Sequence, residues 1–290
     1  MGHGKLRKFA ENETFACLLQ PDASAVLDKQ EGSKALHLHD HPVKGNWNRT
    51  MFAVPRPIVL ELGCGKGDYT IALARRHPEY NFIGVDIKGA RLWKGAKEAT
   101  GSALPNVAFL RTRIEFIEAF FGPSEVSEIW LTFSDPQLKS ENSRLTSPLF
   151  LERYRRFLAP GGIVHLKTDS RFLHEYTCSV LRINDLEIIA SGTDIYQEGM
   201  KVGGISVGPQ KDASVIPDGA GNPLPDLPAV FEVQTFYEKM FLEMGLPITY
   251  LAFRIDHEGP YRAPSDFDTD FWRAAEGPRR TFSHHPAKKV

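Results

Sequence analysis

The chain has 290 residues, with 35 lysines and arginines against 36 aspartates and glutamates, for a net charge of −1. Hydrophobic residues make up 42% and charged residues 24%, which is ordinary globular usage and excludes collagen, coiled coil and wholesale disorder. The length suffices for one or two domains with a sizeable core, and the near-neutral balance excludes nucleic-acid binding through bulk positive charge while leaving room for a local basic face.

In chain order, residues 1–55 open with a basic arm, Lys5, Arg7 and Lys8, and continue as an extension of mixed charge and little periodicity that closes at Pro55-Arg56-Pro57. Phe9 to Glu13 follow the arm where a signal peptide would have an apolar run, so none is expected. His37, His39, Asp40 and His41 lie close together, but neighbours this close rarely converge on one ion without a further ligand, and no metal is expected. The cysteines, Cys17, Cys64 and Cys178, are odd in number and widely separated, which fits a reducing compartment, the cytoplasm by default. No run approaches the roughly 20 apolar residues of a membrane span.

From Ile58 the pattern alternates. Apolar runs predict strands at Ile58 to Leu62, Phe82 to Asp86, Val107 to Arg111, Ile129 to Phe133 and Ile163 to Lys167, with helical patterns over Asp68 to His77, Lys88 to Ala99, Ile114 to Phe121, Pro148 to Leu158 and Arg171 to Leu181. Tyr250 to Ile255 adds a last strand. This rhythm predicts an α/β fold, a doubly wound, mostly parallel sheet. Of the 40 residues from Ser191 to Val230, 12 are Gly or Pro, which predicts a long inserted loop near 191–230. The organisation read from the chain is thus an extension over 1–55, one domain over 56–256 and a polar tail without clear period over 257–290. Gly204-Ile205-Ser206-Val207-Gly208 matches the nucleophile-elbow string but has no helix after it, so a hydrolase is not expected.

Leu60-Glu61-Leu62-Gly63-Cys64-Gly65-Lys66-Gly67-Asp68 leads from the first strand into a helix, where glycines allow a sharp turn and close approach of a ligand. The third glycine comes two residues after the second, so the dinucleotide spacing is not met. With Asp86 ending the second strand, the loop resembles the first two motifs of class I S-adenosylmethionine-dependent methyltransferases, which implies a seven-stranded Rossmann-like sheet and a sulfonium cofactor. Asp86 can accept both ribose hydroxyls, and an anionic Glu61 suits a ligand carrying a sulfonium and an ammonium better than one carrying phosphates.

Thr132-Phe133-Ser134-Asp135-Pro136-Gln137-Leu138-Lys139, then Arg144-Leu145-Thr146, then Gly161 to Asp169 and Thr235-Phe236-Tyr237-Glu238 resemble the bacterial tRNA (guanine-N7-)-methyltransferases over about residues 57 to 255. The resemblance implies tRNA (guanine(46)-N7)-methyltransferase activity, with transfer to a variable-loop guanosine and tRNA as partner of a monomer or homodimer. It assigns the cofactor to Glu61, Gly63, Gly65, Gly67, Asp86 and Asp135, with the backbone at Arg113 and Ile114 as a further candidate outside the family pattern, catalysis or guanine orientation to Asp135, and substrate contacts to Lys139, Asp169, Thr235, Phe236, Tyr237 and Glu238. Guanine N7 already exposes a lone pair, so the work is alignment behind the methyl group. A carboxylate at Asp135 or Asp169 accepts from guanine N1–H and N2–H₂ together, and which of the two does so stays open.

Departures from the family pattern bear on the RNA. Gln137 stands in place of a tryptophan, Ser134 in place of a proline, and Lys139 to Arg144 is nearly neutral where a basic cluster is usual. Arg113-Ile114-Glu115 replaces an aspartate expected to meet adenine, a contact left to Glu115 or to backbone groups. Lys88, Arg91, Lys94 and Lys97 recur every three residues on one helix and, with the basic arm, form a candidate phosphate surface. Trp47 and Trp93 read either as base-stacking platforms or as core. A methyltransferase of another substrate and a non-catalytic RNA-binding subunit stay as alternatives.

Overall fold

The runs Ile58–Leu62, Asn81–Asp86 and Val107–Arg111 are almost wholly buried, as near-continuous apolar strands are when helices cover both faces of a parallel sheet. The computed structural model describes residues 3–28, 37–209 and 227–283. Its elements in chain order are α1 (His3–Asn12), β1 (Leu18–Leu19), β2 (Leu27–Asp28), β3 (His37–Leu38), α2 (Trp47–Thr50), β4 (Ile58–Leu62), α3 (Asp68–Arg76), β5 (Asn81–Asp86), α4 (Gly89–Gly101), β6 (Val107–Arg111), β7 (Val126–Thr132), α5 (Pro148–Tyr154), β8 (Leu158–Thr168), α6 (Arg171–Ile183), β9 (Ile188–Asp194), β10 (Gly199–Val202), β11 (Ile205–Val207), α7 (Leu227–Glu232), α8 (Phe236–Glu243), β12 (Thr249–Arg254) and α9 (Thr269–Ser283).

The main sheet has the order β1-β6-β5-β4-β7-β8-β12-β9-β10-β11. Its seven inner strands, β6 to β9 in that order, are the expected doubly wound sheet, with β12 antiparallel to both β8 and β9. The chain turns outward in both directions from β4, so the crevice at the carboxyl ends of β4 and β7 is a topological switch point, where open α/β sheets bind ligands. Alternation along the strands divides the core. Leu60, Ile83, Leu110 and Leu131 pack on one face with Leu173, Tyr176 and Val180 of α6. Val59, Phe82, Phe109 and Trp130 pack on the other with Tyr69, Leu73, Leu92 and Ala96 of α3 and α4.

Three expectations are corrected here, and the open reading of Trp47 is decided. The 1–55 segment is built into the domain: β1 pairs in parallel with β6, and Val26, Val43, Trp47 and Phe52 are buried in the core. Trp47 stacks on Phe121 and donates its Nε1 hydrogen to the carbonyl of Phe120, so it is a core residue and no base platform. The helix expected over 114–121 is a 3-10 turn, Ile114–Ala119. The glycine-rich stretch 191–230 holds strand as well as loop, since the tight turn at Gly203 and Gly204, both with positive φ, folds β10 and β11 into a hairpin; residues 210–226 of it lie outside the described set.

The tail, read as carrying no period, contains α9. Gly277-Pro278 inside that helix reads as a stop signal in sequence, but its first half is anchored on α6, where the Glu276 carboxylate accepts from the amide of Phe172. Residues 284–290 lie outside the described set. No helix among the described residues is long and apolar enough to cross a membrane.

Candidate active site

Four neighbouring strand ends line one edge of the sheet. In spatial order they present Asp86 at the end of β5, the glycine loop after β4, Asp135 after β7 and Asp169 after β8. The predicted acidic residues, which lie far apart in sequence, are thereby brought to one crevice. A recess of about 660 Å³ between Leu158, Asn184 and Ile255 opens on the opposite edge, away from these carboxylates.

The loop after β4 is shaped by its backbone. Gly65 and Gly67 adopt φ of +58° and +75°, in the left-handed region that side chains rarely enter. A Cβ on Gly67 would also lie 2.7 Å from the Phe109 ring, whereas one on Gly63 or Gly65 would meet nothing within 4 Å. Gly67 is therefore needed for packing, while Gly63 and Gly65 leave their backbone open to a ligand. The amides of Gly63 and Cys64 donate to the carbonyl of Val85, tying the loop to β5.

Asp86 completes this half. Its two carboxylate oxygens accept from the amides of Gly65 (3.0 Å) and Lys88 (2.7 Å). A carboxylate has about four acceptor positions, so capacity for ribose hydroxyls is left. The next residue, Ile87, is 54% exposed, an apolar surface beside a ligand-edge carboxylate that single-residue inspection of the sequence did not single out. Arg111 pairs in register with Asp86, so the following Arg113 and Ile114 lie at the same edge. There the Arg113 guanidinium pairs with Glu115 at 3.3 Å, and Ile114 is half-buried.

Glu61 is buried beneath the loop. Its carboxylate accepts from the amide and hydroxyl of Thr70 on α3 and from the hydroxyl of Thr132 on β7. Burial pushes its pKa up to about 7 despite these bonds, and nearby Asp68 adds to the rise. The Cys64 thiol is likewise pushed up by burial and by the charges of Glu61 and Asp86. Acidic charge accumulates here, and the site fits a ligand bearing positive charge. An open glycine cradle, a strand-end carboxylate and a buried acid together match the donor set needed for S-adenosylmethionine.

On the other side of the switch point, the loop after β7 turns through two strained positions, Phe133 (φ +51°) and Gln137 (φ +48°), that flank Ser134-Asp135-Pro136. Left-handed conformations at non-glycine residues cost of order 1–3 kcal/mol each and tend to collect at functional sites. Asp135 is exposed and accepts from the amide of Gln137 at 3.0 Å. Two guanidinium groups hold the next carbonyls: Arg144 donates to Gln137 O, and Arg273 of α9 donates twice to Leu138 O at 3.2 and 3.3 Å. Arg144 itself lies against the rings of Phe172 and Tyr176 on α6. Lys139 follows this clamp and is exposed.

The Thr235 to Glu238 segment divides in two. Thr235 caps α8, its hydroxyl accepting from the Glu238 amide while the Glu238 carboxylate accepts from the Thr235 amide, a reciprocal capping box. Glu238, assigned to substrate by the resemblance, is fully buried and faces inward, 2.6 Å from the Lys167 ammonium on β8. Lys167 also donates to Val230 O and Val233 O, Tyr196 donates to Glu238, and the Tyr69 ring of α3 lies 5.5 Å from the ammonium. Burial lowers the pKa of Lys167 and raises that of Glu238, and each partner's charge opposes the other's shift. Phe236 and Tyr237, in contrast, are 60% and 42% exposed, and the Lys66 ammonium of the glycine loop stands 4.9 Å from the Phe236 ring. The capping box and ion pair thus seat two open aromatic rings beside the cofactor loop. Lys167 and Arg144 lie in the segments that carry the family resemblance but were given no role from sequence, and Arg273 was not picked out; a lone lysine inside an apolar strand run was the available signal for the first.

Trp93 is enclosed by Lys8 and Lys97, with ammonium groups 4.5 and 4.8 Å from its ring, and it donates to Glu11. Base stacking on Trp93 is thereby replaced by packing between α1 and α4. His39 pairs with Asp28 at 3.0 Å, and no group of three or more metal-ligating side chains converges among the described residues.

The strand order, the open glycine loop at the switch point and the acid at the end of the second central strand define a class I S-adenosylmethionine-dependent methyltransferase. Residues 55–207 match the family described as a putative methyltransferase. The tRNA (guanine-N(7)-)-methyltransferase of Bacteroides thetaiotaomicron is 40% identical over 97% of this chain and 98% of its own length. That of Christiangramia forsetii is 45% identical over 87% and 97%, and that of Porphyromonas gingivalis 40% identical over 93% and 98%. The chain belongs to the tRNA (guanine-N7-)-methyltransferase family. Among solved structures, the 16S rRNA methyltransferase KamB superposes with a TM-score of 0.47 at 14% identity, covering 76% of this chain and 95% of that one.

Proposed function

We propose that the protein transfers the methyl group of S-adenosylmethionine to N7 of a guanosine in the tRNA variable loop. The observation that carries this reading is the single row of strand ends, with Asp135 on a clamped loop at the same edge as the glycine cradle, and the exposed rings of Phe236 and Tyr237 beside that cradle. When bound, the cofactor supplies an electrophilic methyl on a positively charged sulfur. Gly63 and Gly65 admit it, Asp86 holds its ribose hydroxyls, and Ile87 with the backbone at Arg113 and Ile114 borders its adenine. Glu61 balances its positive charge from beneath.

No base is required, because N7 carries a free lone pair at neutral pH. Asp135 accepts from the guanine N1–H and N2–H₂, which selects guanine over adenine and offsets the charge that appears on the methylated ring. Asp169, from the adjacent strand end, and Lys139 bind the flanking nucleotide. Phe236 and Tyr237 stack on the purine or its neighbour, a contact worth about 1–3 kcal/mol per base. The test is incubation with methyl-labelled cofactor and unmodified tRNA. N7-methylguanosine is the expected product, and its absence across a whole tRNA pool would refute the reading.

A further inference from the structure

The positive charge missing from the Lys139 to Arg144 stretch reappears where the N-terminal helix meets α4. The two helices are joined by the Asn12 side chain, buried and donating to Gly89 O, and by Trp93 between Lys8 and Lys97, while Phe9 sets Lys5 of α1 near Arg111 at the end of β6. This docking converts two separate basic stretches of sequence into one surface. It starts at the ligand edge, since Lys88 directly precedes α4 and its amide binds Asp86.

The charges on both helices run against the helix dipole. A helix N-terminus is partially positive and favours acids, at about 0.3–1 kcal/mol per favourable charge. Neither α1 nor α4 has an acid in its first turn or a base in its last. Instead Lys5 occupies the first turn of α1 with Glu11 near its end, and Lys88 and Arg91 open α4 with Glu98 near its end. Ion pairs relieve part of the repulsion, Lys94 with Asp68 and Lys97 with Glu11. Among the described residues Lys5, Lys88 and Arg91 are exposed and have no acidic partner. A chain with net charge −1 that concentrates cations where its own helices repel them is arranged to meet an external polyanion.

We infer that the α1–α4 face is a second contact surface for the tRNA, taking phosphates of its backbone outside the segment that enters the active site. This rests on the proposed tRNA substrate. The face begins beside Asp86, whereas Asp135 and α8 lie across the switch point, so one RNA spanning both is gripped on either side of the cofactor. Recognition here is of phosphate charge and carries no base specificity.

The test is tRNA affinity across a salt series for the wild type and for Lys5→Gln/Arg7→Gln/Arg91→Gln, with a control, Lys44→Gln/Arg49→Gln/Lys201→Gln, that removes equal charge elsewhere. Each lost phosphate contact should lower the slope of log affinity against log salt by about 0.7–0.9, so the first variant should lose about 2 units of slope and bind at least about tenfold more weakly. The control should keep the wild-type slope. Calorimetry with S-adenosylmethionine and thermal melting report whether each variant is folded, and Arg91→Glu alone should weaken tRNA binding further than Arg91→Gln. Equal slopes for both triple variants, with a wild type that methylates tRNA, would overturn this surface and leave the activity standing. A wild type that neither binds nor methylates tRNA would overturn both. Wild-type binding to anionic phosphatidylglycerol vesicles in place of tRNA would overturn the choice of RNA.

Discussion

The two sides of the switch point are constructed differently. On the cofactor side, the ligand-facing groups follow directly from neighbouring strands: left-handed glycines, amides tied to Val85, and the aspartate that ends β5. On the substrate side, the exposed groups are held by partners from remote parts of the chain: Lys167 under α8, and Arg144 and Arg273 on the loop after Asp135. The first half is specified by local backbone geometry and the second by tertiary clamps. Substitutions on the substrate side should therefore act at a distance, whereas those on the cofactor side should act where they are made.

The largest effect should come from removing one member of the buried pair. Lys167→Met leaves Glu238 charged and unpaired in the interior, and breaking such a pair costs about 3–5 kcal/mol. Urea denaturation should record that loss, and Lys167→Met/Glu238→Met should regain most of it, because an apolar pair of similar volume is often tolerated. A single substitution costing under about 1 kcal/mol would remove the clamp from the account.

Next comes chemistry. Asp135→Asn keeps an acceptor for the Gln137 amide yet loses the charge, and should lower kcat by about 10²-fold or more. Because Asp135 is exposed, stability should shift by no more than about 0.5 kcal/mol. Full activity in this variant would sink its assigned role.

Gly67→Ala probes the cofactor side. Left-handed backbone and the Phe109 ring both oppose it, for a cost of about 1–3 kcal/mol. Cofactor affinity should fall with stability; an unchanged melting temperature would show that the loop is looser than its packing implies. Smallest is Arg273→Ala, which removes two hydrogen bonds to Leu138 O, about 1 kcal/mol in total. It should raise KM for tRNA severalfold and leave cofactor binding intact, with Arg273→Lys restoring part of the loss. Equal damage to both ligands would mean that α9 stabilises the whole domain and has no special hold on the loop.

The same contrast explains what could be read in the sequence. The inner strands and the glycine loop were legible because continuous apolar runs and glycine spacing are local signals, and Asp86 and Asp135 were legible because each lies at the carboxyl edge of such a strand. Lys167 was hidden within an apolar run, since its acid lies on a helix reached only after the glycine-rich stretch. Arg273 sat in a tail whose Gly277-Pro278 looks like a terminator. Glu238 was recognised through its motif, but a motif does not say whether a carboxylate points to solvent or to a lysine. Trp93 stood between stacking and packing until α1 was found against it. Extension residues such as Trp47 and Phe52 join the core through contacts with no period to announce them.

On the proposed reading, Glu61 couples uptake of the methyl donor to acidity. Its carboxyl titrates near 4.5 in a solvated chain and at about 7 in the fold, so between those values the folded protein retains a proton that the unfolded one has shed. Its stabilising contribution is complete below about pH 4.5 and is lost as pH rises through about 7. A cation seated above it favours the ionised form and drives that proton into solution. Near neutrality, the heat of S-adenosylmethionine binding should thus differ between phosphate and Tris, whose ionisation enthalpies are unlike, and Glu61→Gln should erase the difference.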